Sequence, residues 1–175
     1  THPFRPARQP KVWIMGLGLG GLTQSVCAAL PQKKGNFTVF EPIRELVTWQ
    51  KTFFKDNNAL LDSRVNVVHD LSPSSLARES GSVHAILLQA DSCPLEKGKI
   101  LFEDRRWLGA ARDALQAGGM LGITSIRKIP GLYMRLRKAG FDVSEHLVEA
   151  QTNSKRPRRF PLLLARKPAG QHEES

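Results

Sequence analysis

Short apolar runs alternate with amphipathic stretches along most of the chain. Lys11–Gly16 (KVWIMG) is a continuous apolar run that stops at glycine, the pattern of a strand buried on both faces of a parallel sheet. Leu19–Leu30 then places Leu22, Val26, Ala29 and Leu30 on one helical face. Asn36–Glu41 (NFTVFE) predicts a second strand. Pro42 suits the first position of a helix running toward Leu61, with Ile43, Leu46, Val47 and Phe54 on one side. Arg64–Leu71 predicts a third strand, and Ser72-Pro73 opens a short helix that Gly81 ends. Val83–Ala90 predicts a fourth strand. A loop containing Pro94 and Gly98 leads from it to a helix over Phe102–Gln116, where Leu108, Ala111 and Leu115 recur at helical spacing. Gly118-Gly119 break that helix before a fifth strand at Met120–Ile126. A helix over Gly131–Ala139 ends at Gly140, a common residue just past a helix terminus. Asp142–Ala150 and Phe160–Arg166 predict two more strands, joined by a polar, basic connection.

Strands that alternate with helices imply an α/β fold with a single doubly wound, Rossmann-like sheet of seven strands. The sheet is expected to be mostly parallel. No helix separates the last two strands, so they are expected to pair antiparallel, which gives an antiparallel C-terminal strand. The length of 175 residues fits one domain at about 150 residues each. The expected divisions are a basic, Pro-containing arm over 1–10, the α/β domain over 11–167 and a disordered tail over 168–175.

Composition narrows the class. Hydrophobic residues make up 41% and charged residues 24%, which is ordinary for a globular chain. No run approaches the ~18 apolar residues of a membrane span, so no membrane role is expected. Thr1–Lys11 is polar and has no apolar segment of the secretory kind. The two cysteines, Cys27 and Cys93, form no CxxC pair, and the five histidines are scattered, so no metal site is expected. A reduced, cytoplasmic setting follows from this pattern.

Charge is uneven. The net +10 is carried at the two ends: residues 1–11 hold +3 and residues 120–175 hold +6, whereas 12–119 has twelve basic residues against eleven acidic. Lys155, Arg156, Arg158 and Arg159 form the densest cluster, with Arg127, Lys128, Arg135, Arg137 and Lys138 upstream. Such a region suits RNA or an acidic partner, or it is a solvated face that maintains solubility.

The candidate chemistry starts at Gly16-Leu17-Gly18-Leu19-Gly20-Gly21, between the first strand and the first helix. Glycines there permit a tight turn and close approach of a ligand to the backbone. Glu41 ends the second strand, next to the first in a doubly wound sheet, where a carboxylate can accept both hydroxyls of a ribose. The pair predicts a nucleoside site. Two cofactor classes fit it: a nicotinamide or flavin dinucleotide, as in an NAD(P)-binding oxidoreductase, or S-adenosylmethionine.

A closing pair of adjacent strands after Ala139-Gly140-Phe141 separates these classes. With it, the chain resembles the class I S-adenosylmethionine-dependent methyltransferase fold, in its spermidine synthase-like branch. The resemblance rests on VWIMGLGLGGL (12–22), TVFEP (38–42), RVNVVHD (64–70), AILLQADSCP (85–94), LFEDRRWLGAARDALQAGGMLGI (101–123) and RLRKAGFDV (135–143). It implies that Gly16, Leu17, Gly18 and Gly20 line the methionine part of S-adenosylmethionine. It implies that Glu41, with Pro42, holds the ribose, and that Asp70 and Leu71 meet the adenine. Gln89 to Asp91 would face the transfer centre, with Gln89 also at the cofactor and Asp91 and Gln89 as the candidate catalytic residues. Aminopropyl-transferring members carry an aspartate where Gln89 stands, and no segment matches their amino-terminal β domain. An amide neither holds a cationic amine nor takes its proton well, so methyl transfer is expected over aminopropyl transfer. The expected acceptor is a small molecule of unspecified class. A catalytically degenerate module of the same fold that binds RNA or an acidic partner is the remaining alternative, and an oligomer is compatible with all of these.

Overall fold

A computed structural model describes residues 8–54, 58–149 and 158–169. Most of the expected basic arm, Lys155 and Arg156 of the basic cluster, and the tail from Gly170 lie outside the described residues.

Seven strands form one sheet: β1 (Lys11–Met15), β2 (Asn36–Phe40), β3 (Val65–Val68), β4 (Val83–Gln89), β7 (Leu115–Thr124), β8 (Asp142–Glu149) and β9 (Arg159–Arg166). Their spatial order is β3-β2-β1-β4-β7-β9-β8. The pairs from β3 to β7 are parallel, whereas β9 runs antiparallel to both β7 and β8. The sheet is therefore mostly parallel and has one antiparallel strand, the last in the chain, as the sequence implied. A crossover helix joins parallel neighbours: α1 (Gly21–Ala29) and α2 (Arg44–Phe53) follow β1 and β2. The short α3 (Pro73–Leu76) follows β3, α4 (Arg105–Ala114) leads into β7, and α5 (Leu132–Lys138) follows β7.

The period-2 geometry of β1 divides the core into two layers. Val12 and Ile14 pack with Val26 of α1 and Val47 of α2. Trp13 and Met15 join Leu76 of α3, Trp107 and Leu108 of α4, and Leu132 and Leu136 of α5. Both faces of the strand are thus covered by helices, which is why it reads as one unbroken apolar run. Full burial of side chains such as Trp107, Leu108 and Leu136 contributes roughly 1.5–3 kcal/mol each before ordering costs.

Several boundaries differ from the sequence-based expectation, each for a local reason. α2 starts at Arg44 rather than Pro42, because Ile43 is extended and gives its N–H to the Glu41 carboxylate. It ends at Phe53, and a separate 3₁₀ turn at Ala59–Leu61 follows, begun by Asn58 accepting from Leu60 N–H at 2.9 Å. α4 starts only at Arg105, where Asp104 accepts from Arg106 N–H at 2.8 Å; Leu101–Glu103 is a 3₁₀ turn instead of helix. The stretch expected as a loop forms a small hairpin, β5 (Leu95–Glu96) with β6 (Lys99–Ile100). Its two turn residues, Lys97 and Gly98, both have positive φ, as a two-residue hairpin turn requires. β7 begins at Leu115, directly after α4, so Gly118 and Gly119 lie inside a strand and do not precede one. The register against β4 slips there, and a Cβ on Gly119 would meet Gln116 O at 2.9 Å and Val83 O at 3.1 Å.

Candidate functional site at the carboxyl edge of the sheet

The chain order reverses between β1 and β4. β2 and β3 extend the sheet to one side of β1, and β4 and β7 to the other. A crevice at such a reversal, outside the carboxyl ends of the strands, is where open α/β sheets place ligands. The sequence-derived site residues all sit at strand carboxyl ends: Gly16–Gly20 after β1, Glu41 and Pro42 after β2, Asp70 and Leu71 after β3, and Gln89 to Asp91 at and after β4.

The glycine turn has the backbone that only glycine adopts without strain. Gly16 has φ +92° and Gly20 φ +83°. A Cβ on Gly16 would lie 3.0 Å from Pro94 Cδ and 3.2 Å from Ser92 O, so the loop after β4 closes against this turn. Gly20 N–H bonds Leu17 O at 2.8 Å, and Gly20 caps α1 with no side-chain acceptor. Leu17 is buried in the core on the α1–α2 side, whereas Leu19 at the tip is 77% exposed.

Glu41 is only 2% exposed and sits where β1 and β2 end together. Gly16 N–H bonds Phe40 O at 2.9 Å, and Glu41 N–H bonds Val68 O at 2.9 Å. The Glu41 carboxylate accepts from Leu17 N–H through Oε2 at 2.9 Å and from Ile43 N–H through Oε1 at 2.9 Å. One side chain therefore fixes both the glycine turn and the entry to α2. A carboxylate offers about four lone-pair sites, so each oxygen retains one for a further donor. His69 lies beside it, with Nδ1 2.6 Å from Glu41 O.

The remaining expected residues are arranged as follows. Asp70 is exposed and accepts from Ser72 N–H at 2.9 Å; Ser72, through its side chain first and its N–H second, lowers the Asp70 carboxyl below the ordinary range. Leu71 is buried and Pro42 half-buried. Gln89 is exposed and pairs in register with Thr124 of β7. Asp91 is exposed and accepts from Ile126 N–H through Oδ2 at 2.6 Å, which ties the β4 loop to the exit of β7 and leaves Oδ1 free. Burial pushes the Cys93 thiol up to about 11, so it is a quiet cysteine rather than a nucleophile at neutral pH.

Gln50 of α2 was not singled out by the sequence. It is 1% exposed, and its Nε2 donates to Gly18 O at 3.4 Å. A Cβ on Gly20 would meet that amide at 3.0 Å. Its Oε1 and the hydroxyl of Thr23, in the first turn of α1, are buried without partners. No motif signals Gln50, because its role depends on which face of α2 meets the glycine turn. Among the described residues no group of three or more His, Cys, Asp or Glu side chains could hold a metal ion. No described helix is long and apolar enough to cross a membrane.

This combination of sheet order, antiparallel last strand and glycine turn is the Rossmann-like fold of class I methyltransferases. Solved structures at the same fold include a precorrin-6y C5,15-methyltransferase from Geobacter metallireducens, with TM-score 0.65 and 15% identity over 91% of this chain and 80% of that one. A spermidine synthase from Thermotoga maritima matches with TM-score 0.69 and 18% identity over 94% of this chain. The chain spans 56% of that synthase's length. A 16S rRNA (adenine(1408)-N(1))-methyltransferase from Catenulisporales acidiphilia matches with TM-score 0.61 and 17% identity, over 92% of this chain and 88% of that one. No protein-family model matches the sequence, and none of the curated proteins does.

Proposed function

We propose that the chain binds S-adenosylmethionine in this crevice and transfers its methyl group to a small-molecule acceptor. The observation that carries the reading is Glu41, a buried carboxylate joining the β1 and β2 ends, each of whose oxygens accepts one backbone N–H and carries a second lone pair that a ribose hydroxyl would use. The cradle fits the cofactor: Gly16, Gly18 and Gly20 all have positive φ, and a Cβ on Gly18 would meet no heavy atom within 4 Å. Gly16, Leu17, Gly18 and Gly20 would hold the methionine part, Glu41 and Pro42 the ribose, and Asp70, Leu71 and Gln89 the rest of the cofactor.

The bound sulfonium supplies both the methyl group and its own leaving group. The chain's residues then have to position the acceptor and exclude water. Asp91 is fixed by Ile126 N–H and keeps Oδ1 for orienting or deprotonating an acceptor at the β4–β7 edge. Gln89 beside it offers neutral hydrogen bonds only, which favours methyl transfer over handling of a cationic amine. We take residues 11–167 as the unit that carries the activity: Lys11 opens β1, and Lys167 N–H bonds Gly119 O at 2.8 Å beyond β9. The two free, half-buried cysteines agree with a reducing, cytoplasmic setting.

A parallel thermal-shift experiment tests the reading. S-adenosylhomocysteine is expected to raise the melting temperature and NADH to leave it unchanged. The reverse pattern assigns the crevice to a dinucleotide, and a shift with neither overturns the cofactor assignment.

A further inference from the structure

On the sheet face opposite α1 and α2, helices α4 and α5 border a cleft of about 470 Å³. Arg105, Leu108 and Gly109 of α4 line it, with Arg135 and Lys138 of α5. Glu103, just before α4, lines it as well and is exposed. Arg112 links the two helical segments: its Nε donates to Gly140 O at 3.1 Å. The Cβ of any residue replacing Gly109 would meet no heavy atom within 4 Å, so the α4 surface is open at that point. A glycine in a helix interior is unfavourable relative to alanine, and here it leaves room against the helix.

The positive charge in this cleft is only partly compensated. Among the described residues, the ion pairs use Lys11, Arg64, Arg112, Lys128, Arg137 and Arg159, and none uses Arg105, Arg135 or Lys138. Three cations against Glu103 leave the lining at +2. Arg135 Nη1 is moreover buried with no hydrogen-bond partner. A buried guanidinium donor without an acceptor carries a desolvation penalty that an anionic oxygen relieves.

We propose that this cleft binds a phosphate group, with Arg135 as its principal donor and Arg105 and Lys138 as supporting charges. Guanidinium forks match phosphate oxygens, and a lining of +2 balances a phosphate dianion. The volume exceeds one phosphate, so the group belongs to a larger ligand: either a phosphorylated small molecule or the backbone of an RNA strand. The site is separate from the glycine turn, so it stands or falls independently of the cofactor reading.

The test uses the whole chain at low salt, titrated with inorganic phosphate by calorimetry and with a short fluorescein-labelled single-stranded RNA by anisotropy. Arg135→Gln removes the principal donor. Gly109→Glu adds a good helix former and a negative charge to the open surface, so its effect is not one of helix loss. Each variant is expected to weaken binding about tenfold, the scale of one charge-assisted hydrogen bond. Weakening in the phosphate arm assigns the site to a terminal phosphate; weakening in the RNA arm alone assigns it to a phosphodiester backbone. Wild-type affinity of both folded variants in both arms, or no binding of either ligand to the wild type, overturns the proposal.

Discussion

Replacing Glu41 by glutamine changes one atom of the site and separates its structural role from its ligand role. The carboxylate accepts two backbone N–H groups, Leu17 and Ile43, at 2.9 Å each, in surroundings that leave it 2% exposed. The amide of Glu41→Gln keeps one oxygen for one of these N–H groups and turns its own N–H₂ toward the other. One bond is lost, the one kept is no longer to a charged group, and a buried donor faces a donor, which together cost about 1–3 kcal/mol of stability. For a chain of this size that lowers Tm by roughly 3–10 °C. The same substitution removes one of the two acceptor sites proposed for the ribose. A hydrogen bond to a charged group is worth about 1.5–3 kcal/mol, so S-adenosylhomocysteine affinity should fall about 10–100-fold. Calorimetry well below the lowered Tm reads the second effect without the first. A folded Glu41→Gln protein that binds S-adenosylhomocysteine with wild-type affinity would refute the assignment of the ribose to this carboxylate.

Other consequences are as direct. Gly16→Ala places a side chain at φ +92°, 3.0 Å from Pro94 Cδ, and should lower stability by about 2–3 kcal/mol in denaturant unfolding. An unchanged midpoint would mean that the turn is not fixed as described. Arg64 donates to Leu30 O, to Gln32 O at 3.2 Å and to Cys27 O at 3.0 Å, and pairs with Asp62 at 2.6 Å. Arg64→Ala should therefore cost about 2–4 kcal/mol, measured by the same unfolding curves. The carboxyls of Asp62, Asp70 and Glu79 are lowered by hydrogen bonds from Arg64, Ser72 and Lys11 respectively. The folded state therefore binds fewer protons than the unfolded one at these sites. Their stabilisation is complete above the ordinary carboxyl range at about pH 4 and is lost as pH falls through the lower folded values. Unfolding midpoints measured from pH 6 downward should fall most steeply below pH 4, and Asp62→Asn should flatten that fall.

The order of elements was legible because each has its own period. β1 is covered on both faces and reads as a solid apolar run, whereas α1 shows the i, i+4 stripe of a helix covered on one face. The antiparallel last strand followed from the missing crossover. The hairpin at Leu95–Ile100 was not legible, since Lys97 at positive φ carries no glycine or asparagine signal at that turn position. The start of α2 was missed because a local side-chain contact overrode the proline signal: Glu41 captures Ile43 N–H and delays the helix by two residues. In the site, the glycine turn and Glu41 stood out by their spacing relative to the strand ends. Gln50 did not, because an amide on a helix becomes part of the site only when the packing of α2 sets it against Gly20.

The central claim is that an adenosine ligand occupies the crevice formed by the glycine turn and Glu41. Amide chemical-shift mapping of the isotopically labelled chain during titration with S-adenosylhomocysteine tests it most directly. The account predicts saturable shifts concentrated at Gly16–Gly20 and Glu41–Ile43, largest at Leu17 and Ile43, whose N–H groups share the Glu41 carboxylate with the ligand. Saturable shifts confined to other surfaces, or an unperturbed spectrum at high ligand concentration, would contradict it.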